Sequence, residues 1–131
     1  MSGLAFGEIE GVDEDSLARL VGRFYAAVRS DALIGPVFND AIDDWPLHLD
    51  KLAAFWSSLM LGTGRYDGRP MAAHFRHRAR ITPAMFDRWL ALWGEATEAE
   101  MPPAAARALQ ARAGRIAESF KLNLARFGAG I

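Results

Sequence analysis

DDWPLHLDKLAAFWSSLMLG, residues 43–62, carries a full set of helix instructions. Two aspartates open it, and Trp45-Pro46 puts a proline in the first turn, where its missing N–H costs nothing. Gly62 stands at the far end, where chain termination favours it. Between these marks Trp45, His48, Leu52, Phe55, Trp56 and Leu59 recur at three- and four-residue steps, the period of a helix and not of a strand. One apolar side on so long a segment calls for burial against other helices.

The same grammar repeats on both sides. Upstream, Asp13 is placed to cap a helix whose inner stripe is Leu17, Leu20, Val21, Phe24, Tyr25 and Val28. Ser30 and Asp31 loosen it, and Gly35-Pro36 reads as the end of the short turn after it. Downstream, Gly62, Gly64 and Gly68 predict a flexible loop, and Pro70 can open a short helix bearing His74 and His77. Thr82-Pro83 is a second cap-plus-proline start, leading a helix with Phe86, Trp89, Leu90 and Trp93 on one face. Met101-Pro102-Pro103 interrupts the chain before a last helix striped by Leu109, Ala113, Ile116, Phe120, Leu124 and Phe127 and closed by Gly128. No hairpin signal appears, so the expected fold is all-α, with four long helices and a short one around Pro70.

The bounds are simple. A length of 131 residues suits one domain, 1–131, with residues 1–11 read as a loosely ordered N-terminal extension. A net charge of -1 gives no basic surface for nucleic acid. With no cysteine, disulfides and thiolate metal sites are excluded. MSGLAFGEIEG lacks the pattern of a signal peptide, and LAAFWSSLML is too short to span a bilayer, so a soluble, cytoplasmic protein without membrane contact is expected; near-neutral charge and the lack of long heptads favour a monomer. Hydrophobic residues make up 51%, slightly rich for this size, which asks for a tight core or a sizeable apolar pocket.

Few residues can carry chemistry. His48 lies in register with buried positions, as a hydrogen-bonded core histidine or as an imidazole aimed into a cavity. Tyr25 and Trp89 read as core aromatics whose O–H and N–H would each need a partner. RPMAAHFRHRAR, residues 69–80, holds His74 and His77 among four arginines. Histidines three apart can share a helix face, but no carboxylate stands at helical spacing to complete a zinc site, and a solvated basic segment is the plainer reading. A haem needs only one imidazole from the protein and an apolar slot, and nearby arginines could meet its propionates.

Four segments in order, FYAAVRSDALIGPVFNDAI, WPLHLDKLAAFWSSLML, GRYDGRPMAAHF and ITPAMFDRWLALW, resemble the truncated haemoglobins, the bacterial group III above all. The resemblance runs from about Val12 to Phe127. It implies a shortened globin fold, a two-over-two helical sandwich around haem b. It also makes His74 the proximal iron ligand, with His77 the alternative because FRHRARI departs from the family pattern. On the opposite, distal side it places Tyr25, His48 and Trp89, with Phe38, Leu52 and Phe86 among the residues lining the cofactor and Trp56 behind them.

Such a site would take dioxygen, nitric oxide, carbon monoxide or peroxide, with electrons from a reductase that the sequence does not name. Hydrogen bonds from Tyr25 and Trp89 to a polarised ligand would contribute roughly 1.5–3 kcal/mol each. At about 1.4 kcal/mol per tenfold, release would be too slow for transport. Nitric oxide dioxygenation or a peroxidase-like reaction is the expected activity. The competing expectation is a haem-free helical module that binds a small molecule or another protein.

Overall fold

The computed structural model describes residues 9–66 and 81–128, the last six of these as backbone only. Within them lie five helices and no strand: α1 (Glu14–Ser30), α2 (Gly35–Ala41), α3 (Trp45–Leu61), α4 (Pro83–Glu100) and α5 (Pro103–Gly128).

The start signals act as their chemistry requires. The Asp13 carboxylate accepts from the Ser16 N–H at 2.7 Å, while the Ser16 hydroxyl accepts from the Asp13 N–H at 2.9 Å, a reciprocal capping box. The Asp44 carboxylate accepts from the Leu47 N–H at 3.0 Å, and the Thr82 hydroxyl from the Met85 N–H at 3.3 Å. Each of these last two caps precedes a first-turn proline. Helix α3 stops at Gly62, whose φ of 69° is the left-handed conformation that glycine adopts without strain.

One local element was not expected. Gly35-Pro36 ends the turn of residues 32–34 and also begins α2, so a short helix stands between α1 and α3. The Asp31 carboxylate makes the corner by accepting from the Leu33 and Ile34 N–H groups at 3.0 and 3.1 Å. Gly35 then passes so near α1 that a Cβ there would meet the Arg29 carbonyl at 2.9 Å. The glycine-rich link after α3 is a loop, as expected, and side chains tie down its described part. Ser57 and Thr63 share a hydrogen bond of 2.6 Å, the Tyr66 N–H donates to the Ser58 hydroxyl at 2.9 Å, and Arg65 pairs with Glu14. The expected short helix around Pro70 lies outside the described residues, as does the extension as far as residue 8.

Packing forms two pairs, α1 with α3 and α4 with α5, joined where α1 lies on α4; α2 rests on α1. This is the two-over-two arrangement. Every residue of the predicted α1 stripe is buried. Burial of each such leucine, valine or phenylalanine contributes roughly 1.5–3 kcal/mol. Trp56 and Trp93 stack at 4.4 Å in the centre, both at most 1% exposed, and the Trp93 indole donates to the Leu109 carbonyl at 3.1 Å, tying α4 to α5. At one edge Arg88 of α4 reaches back to Asp31 at 2.7 Å. Among the described residues no helix is long and apolar enough to cross a membrane.

Candidate functional site

Tyr25 and Phe24 sit side by side on α1, both buried, and point their rings into the space bounded by α2, α3 and α4. Phe24 is the hub. It meets Tyr25 at 4.6 Å, Trp93 at 4.9 Å and Trp89 at 5.7 Å, edge to face in every case. Such pairs contribute about 0.5–1.5 kcal/mol beyond their burial and, as important here, fix ring orientation.

Around Tyr25 the neighbours come from other helices. Phe38 of α2 lies 5.8 Å away, and His48 of α3 stands perpendicular at 6.0 Å. Trp45, three residues before His48 and so on the same side of α3, is 6.0 Å from Tyr25 and 5.6 Å from the imidazole. From α4 Trp89 comes near enough to act on the Tyr25 phenol. An indole N–H can only donate, so the phenol keeps its own proton to give elsewhere. Burial pushes the Tyr25 phenol well above its ordinary value, and the Trp89 hydrogen bond offsets only part of that rise. Tyr25 is therefore a neutral donor at any physiological pH.

The predicted residues Tyr25, His48, Trp89 and Phe38 are thus brought to one place. Leu52, one turn beyond His48, is half-buried against the same core cluster. Phe86 goes elsewhere: it stacks on Phe120 at 6.1 Å in a second cluster with Ala117, connected to the first through the half-buried Trp89 and Leu90. Trp56 lies behind, stacked on Trp93. His74 and His77 lie outside the described residues. Sequence reasoning missed two contributors, Trp45 as a wall of the site and Arg29, whose guanidinium lies 4.6 Å from the Trp45 ring centre. Their spacing, three before His48 and four after Tyr25, was the available signal.

Does this place suit a haem? Helix α3 is apolar nearly all round, yet α1 covers only part of it. Leu49, Leu52 and Phe55 on α3 and Met85, Trp89 and Leu90 on α4 remain only partly buried. Among the described residues α3 and α4 have no extensive backbone contact and meet through the long Trp56–Trp93 stack. Two apolar helix faces that meet through a stacked indole pair and keep half-buried side chains suit contact with a flat apolar group. No charged side chain is buried there, and no cluster of three metal-binding side chains occurs among the described residues. The residues fit a macrocycle that brings its own iron and needs few protein ligands.

Comparison with known proteins agrees. The pattern of the bacterial-like globin family matches residues 5–118. The Group 3 truncated hemoglobin ctb of Campylobacter jejuni is 31% identical over 125 residues, which are 92% of this chain and 98% of that protein. The crystal structure of a group III truncated hemoglobin from Campylobacter jejuni superposes with a TM-score of 0.80 at 32% identity, covering 89% of this chain and 94% of that one.

Proposed function

Since the chain belongs to the bacterial-like globin family, and within it to the group III truncated haemoglobins, we propose that it holds haem b through His74 and serves chemistry on dioxygen with nitric oxide, or on peroxide, in preference to transport. Haem and oxygen binding come with the family, which removes the haem-free alternative. The group supplies an iron with a free position for a diatomic ligand or a peroxide.

The chain's own residues govern the fate of that ligand. The observation that carries the reading is the Tyr25 phenol: buried, neutral, and set beside Trp89 and the perpendicular His48 ring. A neutral phenol polarised by an indole donor offers its proton to any anionic or polarised ligand lodged against it. Such a bond contributes roughly 1.5–3 kcal/mol and slows release accordingly. His48, half-buried and on the next helix, is placed to hold or pass a proton at the same ligand. Phe38, Leu52 and Phe55 keep bulk water out of the slot. Phe86, in its separate cluster, acts on the cofactor by backing Trp89.

His74 is assigned as the iron ligand on the resemblance of GRYDGRPMAAHF, with Arg69 and Arg76 available for the propionates. Electrons come from a separate reductase, and the protein works as a cytoplasmic monomer; the large apolar side chains exposed among the described residues, Leu33, Leu47 and Leu122, are scattered along the sequence.

Purified protein should be red, with a haem absorption band near the violet edge. His74→Ala should lose or mis-ligate haem while His77→Ala keeps the parent spectrum. A colourless protein that cannot be reconstituted refutes the reading, and a lost spectrum in His77→Ala alone transfers the ligand role to His77.

A further inference from the structure

The aromatic network around Tyr25 continues outward to a charged edge. Trp45, 8% exposed, touches Tyr25 and His48 inside and carries the Arg29 guanidinium 4.6 Å from its ring centre. Arg29 is exposed and makes no ion pair among the described residues. It also lines an open surface depression of about 520 Å³ with Ala26, Ser30 and Asn39. The Ser30 hydroxyl already donates to the Ala26 carbonyl and the Asn39 amide to the Arg29 carbonyl, so the remaining recognition element is the guanidinium, which has no ion pair among the described residues.

We propose that this depression docks a small phenolic carboxylate that reduces peroxide in the inner pocket through Trp45. The inference rests on the reading that the pocket handles peroxide at a haem. The carboxylate pairs with Arg29 by charge-assisted hydrogen bonds. The phenol ring then lies one planar group away from the Trp45 indole, and Trp45 lies one ring contact from Tyr25 and His48. In each one-electron event Trp45 passes an electron inward and becomes a radical cation. The docked phenol returns an electron to Trp45, releases its proton to water and leaves as a phenoxyl radical. Two events supply two electrons and two protons, which with one hydrogen peroxide give two waters. Arg29 adds a control: its charge over the indole opposes removal of an electron, and the docked carboxylate cancels that opposition. Trp45 is thus easiest to oxidise when a reductant is in place to restore it.

The test uses the haem-loaded full chain treated with hydrogen peroxide, with peptide mapping of oxidised tryptophan. Without reductant, Trp45 should gain oxygen ahead of Trp56 and Trp93. 4-Hydroxycinnamate should protect Trp45, and its neutral amide should protect far less. Arg29→Gln, a change at an exposed position, should raise the half-protecting concentration of 4-hydroxycinnamate by about tenfold or more, as loss of a charge-assisted contact requires. Oxidation confined to other residues, equal protection by the amide, or unchanged protection in Arg29→Gln overturns the proposal. Preparations lacking the haem band fail for another reason: there the haem reading itself falls, and this inference with it.

Discussion

Replacing Tyr25 and Trp89 by phenylalanine, singly and together, asks whether the two donors act side by side or in series. The lowering influence of Trp89 on the Tyr25 phenol favours the series arrangement, in which Trp89 reaches a ligand only by polarising the phenol. Tyr25→Phe removes a bond to a polarised ligand worth roughly 1.5–3 kcal/mol, and should speed dioxygen release roughly 10- to 150-fold. Trp89→Phe removes one neutral hydrogen bond of about 0.5–1.5 kcal/mol, and should speed release roughly 2- to 10-fold. In the double variant nothing remains for Trp89 to polarise, so its rate should match Tyr25→Phe. The freed indole in Tyr25→Phe is kept from turning to the ligand by its parallel stack on Trp93 at 6.2 Å and its edge contact with Phe24. Stopped-flow displacement of dioxygen by carbon monoxide, with laser-flash rebinding, measures all four proteins. A double variant whose acceleration equals the product of the two single effects refutes the series arrangement. If neither single variant reaches about tenfold, tight distal hydrogen bonding is refuted altogether.

Three further outcomes concern the fold. Burial raises the Asp31 carboxyl, but Arg88 and the Ile34 and Leu33 N–H groups outweigh it and hold it below the ordinary carboxylate value. Its stabilisation is therefore present above the unfolded value of about 4 and lost as pH falls through the lower folded value. Asp31→Asn should cost about 1–3 kcal/mol at neutral pH, with the difference in urea midpoint closing in acid; a gap that persists unchanged in acid contradicts the assignment. Trp93→Ala empties the central stack and removes the indole tie to the Leu109 carbonyl, for about 3–5 kcal/mol in thermal unfolding, whereas a loss under about 1 would mean the indole pair is not the prop between α3 and α4. Gly62→Ala meets nothing within 4 Å, so the left-handed φ of 69° alone should cost it about 1 kcal/mol, measured by denaturant unfolding.

Much of the fold was legible because helix ends are local chemistry. Asp13, Asp44 and Thr82 each sit within three residues of the N–H they satisfy, and the prolines and Gly62 mark ends by their own backbone limits. The failure at α2 is equally physical. Gly35-Pro36 stops or starts a helix with equal ease, and the choice was made by the Asp31 carboxylate turning back onto Leu33 and Ile34 and by the close passage of Gly35 over Arg29. Neither event has a periodic signature. The loop after α3 was legible from its glycines, but its ties to Ser57, Ser58 and Glu14 were not, since they come from elsewhere in the chain.

The site was legible in its residue types and not in its pairings. Tyr25 and Trp89 are 64 positions apart, and only packing of α1 on α4 lets one act on the other. Composition carried the more telling hint. An apolar share of 51% promised either a dense core or a pocket without saying which. Part of the surplus proves to be local: Leu49, Leu52 and Phe55 on α3 and Met85, Trp89 and Leu90 on α4 are all half-buried, while Trp56 stacks on Trp93 in the core. A chain this short gains nothing in stability from leaving six large apolar side chains partly wet. Covering them with a flat apolar cofactor turns that surplus into folding energy, so haem should raise the unfolding temperature of this chain as well as colour it.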